Sequence, residues 1–205
     1  MAAKIFGTAI PTAILGAYLE RNVLPKLIPA LFQPSSIAGL SRAFGLAVGA
    51  LTVSGFWLTM YGFGVGAARK KYAELAKKDG EKNAEERYAL PNLYVDGGSK
   101  HAKAFNCVQR SHQQAFETLP QFYVFTLTAA LVFPVAAAVI VGMWMVGRIT
   151  WSTGYASSGG EPGKRYDHPL AFFIFASFMA QFLVAMASAG EITGLWPAVR
   201  GLVGM

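Results

Sequence analysis

Apolar residues in this chain come in long uninterrupted blocks, separated by short polar stretches. The longest block, residues 43–68, holds no charged side chain and lies between Arg42 and a basic run that starts at Arg69. It exceeds the roughly 20 residues that a helix needs to cross a hydrocarbon core. Because it lacks the alternating polarity of a strand, and backbone groups at membrane depth must bond internally, it predicts a membrane-spanning helix.

Three further apolar blocks predict three more spans. They cover residues 118–133, residues 135–147 with an extension to 155, and residues 170–190. Pro134 separates the first two of these by a very tight link, so we expect them to form an antiparallel hairpin. The pattern therefore predicts an all-α, integral membrane four-helix bundle.

The N-terminal segment forms a separate extension. Its apolar stretch, residues 5–19, is only about fifteen residues long, which is short for a span. Prolines interrupt the segment at Pro11, Pro25, Pro29 and Pro34. We favour a helix that lies at the membrane interface or on a partner protein. A shortened fifth span remains open, as does a signal peptide or organelle presequence.

These patterns predict three parts of the chain. The extension is residues 1–42, the membrane domain is residues 43–190, and the C-terminal tail is residues 191–205. The charge-rich residues 72–88 are most simply a solvated loop or a continuation of the preceding helix.

Composition agrees with a membrane protein. Hydrophobic residues make up 54% of the chain and charged residues 14%, whereas about a quarter of a soluble domain is charged. The net charge of +7 comes from basic residues beside the predicted spans, where they meet anionic lipid headgroups. Membrane lipids are therefore the expected partners. No basic stripe with interleaved aromatic residues predicts a nucleic-acid partner.

Candidate chemistry is concentrated just before the second span. If residues 104–120 form one helix, five polar side chains at spacings of three and four fall on one stripe. They are Asn106, Arg110, Gln113, Gln114 and Glu117. Ionisable groups that enter a membrane face the bundle interior or a wet cavity. The stripe fits an ion pair between helices, side chains that extend to the headgroup level, or a polar pocket for a ligand that carries both charge signs.

Cysteine and histidine usage predicts no metal site. Cys107 is the only cysteine, so an intrachain disulfide is excluded. The simplest interpretation is that Cys107 is a small residue packed between helices. The three histidines have no ligand spacing and are expected to form ordinary hydrogen bonds.

The same polar segment resembles a known family. The run FNCVQRSHQQ at residues 105–114, followed by Glu117 and Pro120, is similar to the second-helix signature of the MAPEG family, the membrane-associated proteins in eicosanoid and glutathione metabolism. The similarity is greatest to its microsomal glutathione S-transferase 3 branch. Residues 68–72 and 146–165 add matches in the same order. The resemblance covers roughly residues 45–190.

The resemblance implies a homotrimer that binds glutathione as co-substrate between neighbouring subunits. It implies that Arg69 and Arg110 hold the glutathione carboxylates and that Glu117 holds the amino group. Arginine suits carboxylates because it donates two parallel charge-assisted hydrogen bonds. Tyr155 lines the same site, and catalytic Arg165, or Lys164 beside it, faces the sulfur from a neighbouring subunit.

Three positions depart from the family pattern. Gln114 stands where the family usually has asparagine, and Trp151 stands where it usually has tyrosine. Trp151 keeps a donor but loses the hydroxyl group. Residues 156–160 add length between Tyr155 and Arg165.

Two functions follow. The first is a glutathione-dependent transferase or peroxidase that acts on lipophilic electrophiles or lipid hydroperoxides. The second is a non-catalytic accessory subunit of a larger mitochondrial or plastid membrane complex, where other membrane subunits are its partners. The expected location is the endoplasmic reticulum, the mitochondrial membrane or the membrane of another organelle.

Overall fold

The computed structural model describes residues 2–37 and 39–202, and this part of the chain contains helices and no β-strand. The all-α prediction is therefore confirmed. Short 3-10 helices cover Pro29–Phe32, Pro162–Tyr166 and Pro169–Phe172. The α-helices are α1 (Ala2–Asn22), α2 (Leu24–Leu27), α3 (Phe44–Lys78), α4 (Ala84–Arg87), α5 (Lys100–Ala130), α6 (Pro134–Ala156), α7 (Phe173–Ile192) and α8 (Leu195–Leu202).

Four helical segments in the described part of the chain are long and apolar enough to cross a membrane. They are α1, α3, α6 and Pro169–Ile192. Three of these match predicted spans. The remaining predicted span, residues 118–133, largely coincides with the last part of α5. The first half of that helix is polar, so α5 as a whole is not among the four. The short link between α5 and α6 is confirmed, because only residues 131–133 separate them.

Helix α1 is longer than its apolar stretch indicated. It runs for 21 residues, and Pro11 lies inside it rather than at its end. Proline is tolerated inside membrane helices because neighbouring groups satisfy the freed carbonyl. This length makes α1 a candidate span by length and composition, and the interfacial placement remains a prediction.

The first of two compact units contains the described residues within 1–54, 119–145 and 173–205. Helix α1 packs against α7 in this unit. Its core is built mainly from small side chains that let the helix backbones approach closely. These include Ala9, Ala13, Ala129, Ala136, Ala137 and Ala180.

A buried carboxylate joins α1 to the start of α6 in the same unit. Glu20 is 3% exposed, and it accepts hydrogen bonds from the backbone N–H groups of Val135 (2.8 Å) and Ala136 (2.7 Å). The first N–H groups of a helix have no partner within the helix, and an anion is stabilised there. Arg21 adds an ion pair with Glu191 at 2.9 Å. The N-terminal extension is therefore an integral part of this unit.

The second unit contains residues 55–118 and 146–172. It includes a small folded cap, residues 79–99, between α3 and α5. Six buried side chains form its core, which are Ala76, Ala84, Tyr88, Val95, Ala102 and Phe105. Within residues 72–88, the predicted helical continuation is observed as far as Lys78. Most of the remaining residues are exposed, while Ala84 and Tyr88 contribute to this core.

Polar contacts also fix the cap. The Asp79 carboxylate pairs with Lys100 (2.7 Å) and with His101 Nε2 (2.9 Å). The pKa of the Asp79 carboxyl is lowered, most strongly by its hydrogen bond with Lys100 and next by its hydrogen bond with His101. Burial raises the pKa of the Tyr88 hydroxyl. The cap is thus ordered by both a core and ion pairs.

Candidate functional site

The central feature of the predicted site is an ion pair on α5. Both guanidinium nitrogens of Arg110 donate to Glu117, with Nη2 at 3.1 Å from Oε2. The two residues lie seven apart, two helical turns along one face. Their side chains are 39% and 49% exposed. The pair is therefore formed in the protein alone and remains accessible to a ligand.

A cavity of about 380 Å³ opens beside Arg110. This volume lies within the range of about 300–1,000 Å³ that small-molecule sites occupy. Its lining combines α5, the end of α6 and loops on either side, and includes Tyr94, Lys103, Asn106, Cys107, Arg110, Tyr155, Gly160 and Pro162. Arg110 and Tyr155 thus share one cavity. The sequence did not single out Tyr94 or Lys103, because neither belongs to the polar stripe on α5.

Arg165 is held over Tyr155, which lines this cavity, and over the neighbouring Tyr166. Its guanidinium carbon lies 5.1 Å from the Tyr155 ring centre and 4.6 Å from that of Tyr166. One nitrogen donates to the Pro162 carbonyl at 2.5 Å. A cation over an aromatic face is attracted by the ring quadrupole. Arg165 therefore lies against a cavity residue within its own chain.

Glycine permits the approach of the loop that carries Arg165. A Cβ atom at Gly154 of α6 would lie 2.9 Å from the Lys164 carbonyl oxygen. The loop backbone can thus pack directly on the helix. The added residues 156–160 connect the end of α6 to this loop. Among them, Gly160 has a backbone in the left-handed region (φ +102°) and lies against Lys103 of α5.

Gln114 and Trp151 meet through a residue that the sequence analysis did not assign. Arg148 of α6 is fully buried and donates to Gln114 Oε1 at 2.5 Å. Its guanidinium carbon lies 5.4 Å from the Trp151 ring centre, and that ring meets Tyr155 edge to face at 5.2 Å. The available signal was a single charge within an otherwise apolar block, since such charges face the interior of a bundle.

The polar stripe on α5 does not face a single partner. Gln113 accepts a hydrogen bond from the Tyr94 hydroxyl. Asn106 bonds the backbone of Val95, accepting from its N–H at 2.8 Å and donating to its carbonyl at 2.9 Å. Only Arg110 and Glu117 in the stripe pair with each other. The stripe is thus divided between the cap, the ion pair and α6.

Arg69 has partners away from this cavity. It donates to the backbone carbonyls of Tyr88 (3.1 Å) and Leu93 (3.5 Å), and its guanidinium carbon lies 4.6 Å from the Phe105 ring centre. These contacts attach the cap to α3. Within this chain, Arg69 therefore stabilises the packing of the cap against α3.

Lys164 also lies apart from Arg110. It pairs with Glu161 at 3.2 Å and lines another cavity, of about 520 Å³, together with Thr153 and His168. That cavity shares no lining residue with the one beside Arg110. The chain therefore groups Arg110, Glu117, Tyr155 and Arg165, links Gln114 and Trp151 to them through Arg148, and gives Arg69 and Lys164 other partners.

The exposed ion pair is suited to exchange partners with a zwitterion. An exposed pair contributes only about 0–1 kcal/mol to stability, so separating Arg110 from Glu117 costs little. A ligand that offers a carboxylate to the arginine and an ammonium to the glutamate would replace one ion pair with two.

Comparison with known proteins agrees with this membrane fold. The model of the MAPEG family matches residues 47–190. No solved structure matches the chain.

Proposed function

Because this chain belongs to the MAPEG family, we propose that it is a glutathione-dependent transferase or peroxidase of lipophilic electrophiles or lipid hydroperoxides. Family membership together with its apolar helices makes it an integral membrane protein in contact with lipid. Within the family, the run at residues 105–114 favours the microsomal glutathione S-transferase 3 branch. The observation that carries the proposal is the accessible Arg110–Glu117 pair beside a cavity.

Glutathione fits the exchange that this pair allows. It has two carboxylates and one ammonium group. Arg110 binds one carboxylate with two parallel hydrogen bonds, while Glu117 turns to the ammonium. Lys103 on the cavity rim, or Arg69 after a rearrangement of its contacts, takes the second carboxylate. Tyr155 packs against the tripeptide, and Gln114 and Trp151 line the adjoining wall.

Arg165 supplies the charge that activates the sulfur. A thiol of pKa about 8.5 is only a few per cent ionised at neutral pH. Lowering that pKa by about two units requires roughly 2.7 kcal/mol of differential stabilisation. A guanidinium near the sulfur provides it once a neighbouring subunit excludes water from the site, with Lys164 beside it as the second candidate.

The thiolate then reacts with a substrate that enters from the lipid. In conjugation the sulfur lone pair forms a bond to an electrophilic carbon, and the leaving group departs with its electron pair. In the peroxidase reaction two glutathione molecules are oxidised to the disulfide while the hydroperoxide is reduced to an alcohol and water. A neighbouring subunit of a homotrimer completes the site. The endoplasmic reticulum or the mitochondrial membrane is the proposed location.

Calorimetry on the purified protein in detergent tests the proposal. We expect glutathione to bind the intact protein and Arg110→Ala to lose at least about tenfold in affinity, since a charged hydrogen-bond partner contributes about 1.5–3 kcal/mol. Arg21→Ala is the matched control, because Arg21 also forms an ion pair and is 47% exposed. Absence of binding by the intact protein at millimolar glutathione would contradict the proposal.

A second candidate is the non-catalytic accessory subunit of a larger mitochondrial or plastid membrane complex. The observation that favours it is the engagement of Arg69 by the cap carbonyls, which removes an expected carboxylate ligand. The test is purification from native membranes under mild detergent. Stable association with unrelated membrane subunits, without glutathione binding, would support this candidate over the enzyme.

A further inference from the structure

The cap presents three large apolar side chains on one short loop. Residues 89–94 read Ala-Leu-Pro-Asn-Leu-Tyr, and we call them the 89–94 loop. Leu90 is 78% exposed, Leu93 is 56% exposed and Tyr94 is 42% exposed. Because other residues of the cap and of the flanking helices already fill the core beneath it, an exposed cluster of this kind marks an interaction surface rather than incomplete packing.

This loop is held in place at both ends. Arg69 binds the carbonyl groups of Tyr88 and Leu93, and Asn106 bonds both backbone groups of Val95. The Asn92 side chain donates to the Glu86 carbonyl at 3.3 Å. The leucines are therefore presented by a fixed backbone.

The contact with Arg69 also fixes the level of the loop along α3. Arg69 is the first charged residue after the charge-free block of residues 43–68. Charged residues that follow directly on a span lie at the membrane surface. Because Arg69 reaches the Leu93 carbonyl, the 89–94 loop lies at the same level.

We propose that the 89–94 loop is a membrane-surface anchor that inserts Leu90 and Leu93 into the boundary between lipid headgroups and acyl chains. Amphipathic segments at this boundary bury their apolar side about 5–10 Å deep. Tyr94 belongs to the residue types enriched at this level. Lys70 and Lys71, which directly follow Arg69 on α3, favour anionic headgroups. Since Tyr94 also lines the cavity beside Arg110, the anchor places the rim of that cavity at the lipid surface.

Depth-dependent fluorescence quenching tests the anchor without glutathione. A Cys107→Ala background removes the only native thiol, so a bimane label can be attached at Leu90→Cys in nanodiscs that contain spin-labelled lipids. Lys82→Cys is the control on the same cap, because its side chain is exposed and charged. Phe63→Cys on α3, 70% exposed within the charge-free block, is the lipid-facing reference.

We expect the label at residue 90 to lose most of its emission with spin labels at the headgroup or upper acyl chain. The label at residue 82 should keep nearly all of its emission, and the label at residue 63 should be quenched most strongly by deeper spin labels. Emission at residue 90 that matches residue 82 with every lipid would overturn the anchor, whatever glutathione does. A double variant, Leu90→Ser with Leu93→Ser, should leave unfolding unchanged while shifting the quenching profile of a label at Tyr94→Cys towards water.

Discussion

Glu20 shows how one buried carboxylate can join an added helix to a membrane domain. Its two oxygens accept the N–H groups of Val135 and Ala136 at the start of α6, beside Pro134, which has no N–H to satisfy. Nothing in the local sequence of α1 identifies these partners. The residue could be recognised as unusual, because a glutamate at the end of an apolar stretch is costly unless it is paired.

Removing this carboxylate should destabilise the protein. We expect Glu20→Ala to lower the free energy of unfolding by about 1–3 kcal/mol, because two N–H groups lose their partner in a buried setting. Glu20→Gln retains one carbonyl acceptor and should cost less than Glu20→Ala. Thermal unfolding in detergent measures both. Glu85→Ala is the control, since Glu85 is 79% exposed, and an equal loss in that variant would contradict the assignment.

Arg148 was visible in the sequence as a charge within an apolar block, but its role was not. Its partners lie on α5 and on the next turn of α6, so only the packing of the two helices reveals them. The spacing of Arg110 and Glu117 placed both on one face of α5, but it did not predict the ion pair between them. Residues seven apart are separated by about 10.5 Å along the helix axis, so the pair depends on the extended conformation of both side chains.

Two of the three glycines on α6, Gly142 and Gly154, differ in what surrounds them. A Cβ atom at Gly154 would press on the backbone of the loop that carries Arg165, whereas a Cβ atom at Gly142 would meet nothing within 4 Å. One glycine therefore allows a close approach, while the other leaves open space. The pair offers a comparison of the same substitution on the same helix.

We expect Gly154→Ala to destabilise the protein by about 1–3 kcal/mol through overpacking. It should also weaken glutathione binding, because the displaced loop carries Arg165 away from Tyr155. Gly142→Ala should be neutral or stabilise by up to about 1 kcal/mol, since alanine favours a helix interior. Thermal unfolding measures the stability of the two variants, and calorimetry measures their affinity for glutathione. Identical behaviour would show that the loop does not depend on this contact.

Hydrophobic patterning predicted α3, α6 and α7 because their apolar blocks are long and free of charge except at Arg148. It was less informative for α1, whose helix extends beyond its apolar stretch to Asn22, and for the cap. The cap core draws on Ala76, Tyr88 and Phe105, which are far apart in sequence. The local periodicity of apolar residues does not predict contacts between residues that are distant in sequence.

For the candidate site, the sequence identified chemically suitable residues better than it predicted where their side chains lie. The spacing placed Arg110 and Glu117 on one stripe, the family resemblance added Tyr155, and the three side chains lie in one region of the second unit. Arg69 was assigned to the same ligand, yet within this chain it binds carbonyls of the cap. Its recruitment depends on loop geometry, which residue types alone do not specify.

The assembly state separates the two proposed functions. An enzyme of the proposed kind should be a homotrimer, because each site needs a neighbouring subunit. Native mass spectrometry of the detergent-extracted protein should therefore record the mass of three chains. That mass should persist at dilutions where a weak association is lost. A monomer that binds no glutathione would favour the accessory subunit.

The hydrogen bonds between Glu20 and α6 also constrain the order in which the helices assemble during synthesis. The residues that they join are 115 and 116 apart in the chain. At about 5–20 residues per second, a ribosome needs roughly 6 to 23 s to synthesise that interval. During this time the Glu20 carboxylate has no N–H partner on α6, and α7 has not yet been synthesised. Helix α1 therefore completes its docking late, after most of the chain has left the ribosome, although it is synthesised before the other helices.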